Sequence, residues 1–220
     1  MSPALPGMPS GSLAHAERLA LCDTFASVGP DAPTLCTPWT TRDLAAHLVV
    51  REQRPDLAAG IVVPFLADRT ERAQSRVASR PWGELVETVR TGPPVWHPTR
   101  LGPVDEVVNL AEMVVHHEDV LRGDGAPGPR RTPSAELEAA VWGLLSRMGR
   151  LLFRRVEDGV ELHAPGRDPL TVRGGEATVR VTGAPLEVLL TAYGRRGVAD
   201  VEVSGPDEAV ARFATAHLGL

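Results

Sequence analysis

The chain contains no lysine, so all 23 of its basic side chains are arginine. That is a bias of composition and carries no functional meaning by itself. Against 28 acidic residues it leaves a formal net charge of -5. A balance of that sign lacks the basic footprint that nucleic acid demands and the polybasic patch that anionic lipid attracts. Aromatic residues are scarce at 4%, which removes the stacking platforms used by single-strand binders. Cysteine is nearly absent. Cys22 and Cys36 form no CxxC pair, and a chain of 220 residues buries a core without stapling, so both are expected as reduced thiols in or near that core. No apolar run approaches the ~20 residues needed to span a bilayer. The segment Met1 to Ser12 is rich in Pro, Gly and Ser and has no charged stretch leading into an apolar one. Residues 1–11 are therefore expected to be a disordered leader, not a signal peptide, and cytoplasm is the expected compartment. No Gly-x-Ser-x-Gly elbow is present, and Gly174-Gly175 reads as a hairpin turn between strands, not as a phosphate loop.

What is present is an ordinary globular balance, 43% apolar and 23% charged. Helical periodicity runs from about Ser12 to Ala26, with Leu19, Cys22 and Phe25 facing inward. Gly29-Pro30 stops it, and residues 31–39 form an irregular connector. Thr40 or Thr41 caps a second helix carrying Asp43, Leu44, His47, Leu48 and Arg51, disturbed soon after by Pro55. Further helices are expected over 63–76, from Pro81 to Thr91, over 105–121, and from Pro133-Ser134 to about Phe153. Beyond Arg155 the pattern alternates with period two at 160–163, 170–172, 177–181 and 199–203, with helices over 185–193 and 206–217. Helices first, then strands with two helices, predict an all-α domain over 12–153 and a small α+β domain over 154–220.

The chemistry concentrates in three residues. Glu112 and His116 are four apart in a helical stretch, hence on one face, and that face also carries valines. His47 sits in another apolar helical run. Two imidazoles and a carboxylate can hold a divalent metal and leave a coordination position open. The plain alternative is a structural Glu–Arg pair beside a packed histidine, since a buried carboxylate needs some cation. His117 points about a hundred degrees away from His116 and is not expected to share its metal. Asp119, three residues on, is placed to orient His116 or to ligate in its stead, and Asp43 is placed to orient His47. Helix capping, or salt bridges to Arg42 or Arg122, would account for the aspartates equally well. Arg51 is a candidate for neutralising an anionic substrate or cofactor, against a surface pairing with Glu52 or Asp56. Arg195 and Arg196 are also in reach of an anionic ligand. Cys36 as a nucleophile would need a base that the sequence does not name. His15, His97, His163 and His217 fall in loops, termini or the second domain and attract no ligand role.

The run Cys36-Thr37-Pro38-Trp39-Thr40-Thr41-Arg42-Asp43-Leu44-Ala45-Ala46-His47-Leu48, taken with Glu112-x-x-x-His116-His117-Glu118-Asp119, resembles the mycothiol-dependent maleylpyruvate isomerase family of the DinB-like superfamily. It is most similar to that family's metal-binding proteins of uncharacterised activity. The stretch from Val181 to Arg196 resembles the family's C-terminal domain. The resemblance covers nearly all of the chain after Ser12. It implies a DinB-like four-helix bundle, followed by the α+β domain, with zinc or a similar divalent ion held by residues matching His47, Glu112 and His116. It also implies that a low-molecular-weight thiol, mycothiol, takes the open position and is activated toward a small electrophile, as a transferase or an isomerase. Other readings of the same donor set are a hydrolytic or oxygenase metal site, or a metal-binding module without catalysis.

Overall fold

The computed structural model describes residues 13–53, 67–92 and 103–219. The chain divides into two compact units, Met1–Asp124 and Gly125–Leu220. In the first lie α1 (Leu13–Val28), α2 (Thr41–Gln53), α3 (Ala67–Ala78), α4 (Trp82–Thr91) and α5 (Pro103–Leu121). The second holds α6 (Ala135–Leu152), β1 (Gly159–His163), β2 (Leu170–Arg173), β3 (Thr178–Gly183), α7 (Pro185–Ala192), β4 (Val201–Ser204) and α8 (Asp207–Thr215). Helices come first and a small α+β unit follows, the order of the fold class expected from the sequence. The expected leader, the residues around Pro55 and the first turn of the helix expected at 63–76 lie outside the described residues. No helix among the described residues is long and apolar enough to cross a membrane.

Four helices of the first unit converge on one core. Leu21, Cys22 and Phe25 come from α1, Leu44, Leu48 and Val49 from α2, Leu85, Val86 and Val89 from α4, and Met113 and Val120 from α5. These are the inward positions of 3.6-residue periodicity. Local chemistry sets the helix ends. At α2, Thr40 donates from both its amide and hydroxyl to Asp43 Oδ2, at 3.0 and 2.8 Å, a capping box. Gly92, at φ 74°, ends α4 in the left-handed region that glycine enters freely.

The connector between α1 and α2 folds back on the C-terminal turn of α5. Leu35 N–H donates to the Asp119 carbonyl at 3.0 Å. The approach is close because Gly123 has no side chain: a Cβ there would stand 2.0 Å from the Pro33 carbonyl oxygen.

In the second unit the strand order is β2-β1-β3-β4, with β1 antiparallel to β2, parallel to β3, and β3 antiparallel to β4. The hairpin is therefore β1–β2, and Gly174-Gly175 is not the hairpin turn expected. It carries the chain across the start of β1 to its other edge. Gly175 permits this, since a Cβ on it would lie 2.4 Å from the Gly159 nitrogen. Helix α6 begins at the Ser134 cap, whose Oγ accepts from Leu137 N–H at 3.1 Å. It packs on α7 and β2, where Gly149 lets Val172 approach, and so shares this unit with the sheet. The sequence expectation drew the first domain to 153, a span that takes in this helix. Its amphipathic pattern announces a buried face but does not say against what.

Candidate metal centre

Helices α2 and α5 bring the three singled-out residues together. Glu112 Oε1 lies 3.2 Å from His116 Nε2 and 3.5 Å from His47 Nε2. The three donor atoms all fall within 4.8 Å of one another. His116 follows Glu112 by one helical turn, so that pairing is local. His47 joins them because its own face of α2 turns to the same point. Its ring packs against Trp39, centroid to centroid 5.0 Å, and against His116 at 5.5 Å. Both histidines are buried, whereas the Glu112 side chain keeps 21% of its surface exposed.

Arg51, one turn beyond His47, places Nε 3.3 Å from Glu112 Oε1 and donates from Nη1 to Asn109 Oδ1 at 3.2 Å. It thus faces the cluster and not Glu52, which is paired with Arg18. Asp56 lies outside the described residues. The Glu–Arg pair weighed from the sequence is present, and it sits beside the two imidazoles.

The far edge of the His116 ring is held as well. Nδ1 is 2.9 Å from Asp119 Oδ2, the orienting contact expected for that aspartate. Asp119 is fully buried, and Cys36 donates its thiol proton to the same oxygen at 3.1 Å. Cys36 Sγ stands 4.0 Å from His116 Nδ1. Cys36, His116 and Asp119 form a second group with donor atoms within 4.8 Å. Nothing local in the sequence pairs Cys36 with Asp119, 83 residues away. The signal available was its place just ahead of Trp39 in the connector.

Other expectations fare differently. Asp43 caps α2 through Thr40, as described above, a role weighed for it beside that of orienting His47. Arg122 pairs with Glu118 at 2.7 Å, both fully buried. His117 turns to α1, with Nδ1 3.2 Å from Glu17 Oε2 and Nε2 2.9 Å from Thr24 Oγ1, away from the cluster as its helical angle required. Arg196 is committed to the end of α8, donating to the Phe213 carbonyl at 2.6 Å and to those of Ala214 and Ala216. Arg195 donates to the Tyr193 carbonyl at 2.6 Å. His97 lies outside the described residues.

Charge is finely balanced in the cluster. Burial would push the Glu112 carboxyl up, but the hydrogen bond and charge of His116, with His47 and Arg51, hold it well below the usual carboxylate range. Burial would likewise lower His116. Hydrogen bonds to Asp119, Cys36 and Glu112 overturn that and hold its imidazole well above the usual value.

Fold and site define the class: a helical domain with a cluster of two histidines and one glutamate, joined in sequence to a small α+β domain. No family model matches the chain, and no curated protein matches it. Among solved structures it is similar to a crystal structure of the mycothiol-dependent maleylpyruvate isomerase, in a histidine-to-alanine mutant, with a TM-score of 0.60 at 15% identity. The match covers 87% of this chain and 90% of that one. At that identity the likeness is one of fold.

Proposed function

We propose that His47, Glu112 and His116 hold a divalent metal ion, zinc or a similar one. On this reading the chain is an enzyme that activates a low-molecular-weight thiol, mycothiol, for transfer to or isomerisation of a small electrophile. The observation that carries the reading is the convergence of His47 Nε2, His116 Nε2 and Glu112 Oε1 on one point. Two neutral nitrogens and one anionic oxygen suit zinc, and three protein ligands leave a position for an exogenous group. A bound ion there supplies positive charge enough to keep a thiol ionised near neutral pH. Asp119, bonded to Nδ1, holds the His116 ring so that Nε2 would face a bound ion. The Arg51 guanidinium, now on Glu112, is within reach of a second anion such as a substrate carboxylate. The likeness of fold to a mycothiol-dependent isomerase favours a thiol as the exogenous group and leaves transfer and isomerisation both open.

Native mass spectrometry with metal analysis, with and without mycothiol, tests this. The expected result is one metal per chain, a thiol adduct that requires the metal, and loss of the metal in His116→Ala. A wild-type protein without stoichiometric metal, or a His116→Ala protein that keeps it, overturns the assignment. Bound iron together with oxygen consumption would point instead to an oxygenase.

A further inference from the structure

One short connector braces both imidazoles of the cluster. Its turn is tied internally: Thr34 Oγ1 donates to the Trp39 carbonyl at 2.8 Å and accepts from Cys36 N–H at 3.2 Å, while Trp39 N–H donates to the Cys36 carbonyl at 2.9 Å. The Leu35 amide and the bare face of Gly123 fix the turn to the end of α5. From this platform Trp39 packs on the His47 ring, and Cys36 reaches the carboxylate that holds the His116 ring.

The thiol and the imidazole share a single oxygen, Asp119 Oδ2. Two donors converging on one oxygen hold that oxygen in place, and with it the ring that bonds to it. Cys36 stands on the Nδ1 side of His116, and Glu112 lies on the Nε2 side. The two ring nitrogens point away from each other, so the sulfur is badly placed to ligate an ion bound at Nε2.

We propose that Cys36 is a positioning residue for the metal site. As a protonated thiol it donates to Asp119 Oδ2 and so aims His116 Nε2 at the point shared with His47 and Glu112. The inference rests on the metal-site reading above and adds to it a residue that never touches the ion. Changes to such outer partners of metal ligands typically cost about 10–100-fold in affinity.

Cobalt(II) titration of the full chain tests this, with wild type, Cys36→Ala, Cys36→Ser and His47→Ala compared. Near-ultraviolet circular dichroism and thermal midpoints confirm that each variant is folded. The expected result is visible ligand-field bands in wild type without a thiolate-to-cobalt charge-transfer band. Cys36→Ala should bind about tenfold more weakly with altered ligand-field bands. Cys36→Ser, which keeps a proton to donate, should recover most of the affinity and the wild-type spectrum. A charge-transfer band lost in Cys36→Ala would make the sulfur a ligand and overturn the proposal. Equal affinity and spectra in Cys36→Ala and wild type would overturn it too, while loss of cobalt in His47→Ala upholds the underlying site. A folded wild type that takes up no cobalt overturns the site reading and this inference together.

Discussion

Glu112 and His116 depart from their usual values in opposite directions, and the sign of each gives a pH window for the metal-free protein. Glu112 is depressed below 4.5, so its contribution to stability is complete above that value and is lost as pH falls through the depressed one. His116 is raised above 6.5, so its contribution is complete below that value and is lost as pH rises through the raised one. With chelator present, the part of stability owed to this pair should be greatest between pH 4.5 and 6.5. Thermal midpoints from acid to alkaline pH read this out, and His116→Ala should remove the alkaline limb. An alkaline limb that persists unchanged in the variant would refute the account. Metal uptake should show the complementary behaviour: it displaces the His116 proton at Nε2 and strengthens as pH rises. At this same scale the sequence was readable where contacts are local. Glu112 and His116 share a helical face by spacing alone, and so did the exclusion of His117. The thiol of Cys36 on Asp119 and the guanidinium of Arg51 on Glu112 arise from how separate segments meet, which residue spacing does not encode.

Among the elements, two glycines make opposite predictions. Gly123→Ala drives a methyl into the Pro33 carbonyl at the end of α5. It should destabilise by about 1–3 kcal/mol, as overpacking does, and should also weaken metal binding because the displaced connector carries Cys36 and Trp39. Gly143, in the middle of α6, has nothing within 4 Å of where its Cβ would stand. Gly143→Ala should stabilise by about 0.5–1 kcal/mol, the helix-propensity difference. Chemical denaturation measures both, and a neutral Gly123→Ala would refute the tight seat of the connector. Helix and strand positions were legible because amphipathic period, caps and prolines are local signals: Ser134 before α6 and Pro185 at the first turn of α7 are examples. Partnership was not. The role of Gly174-Gly175 depends on which edge β3 takes, and the company of α6 depends on the gap left by Gly149 over Val172.

For the molecule as a whole, the cluster lies entirely in the unit Met1–Asp124. Saturation with the correct ion, at a free concentration about a hundred times its dissociation constant, should stabilise the folded state by about 2.7 kcal/mol. Hydrogen exchange should show the added protection in α2, α5 and the connector ahead of α2. Protection that instead concentrates in β1–β4 would place the ion elsewhere.

The same unit holds a second buried ion pair, outside the ligand set. Arg18 of α1 donates from both Nη1 and Nη2 to the carboxylate of Glu52 on α2, and from Nη1 to the Val89 carbonyl of α4 at 2.9 Å. Its Nε, also buried, has no partner among the described residues. Sliding α1 or α2 by one turn, about 5.4 Å, would strand an ion in the apolar interior at a cost of several kcal/mol. Glu52 sits five residues beyond His47 on the same helix, so this pair acts as a depth stop. It sets how far α2 is inserted, and with it the height at which the first imidazole meets the other two ligands.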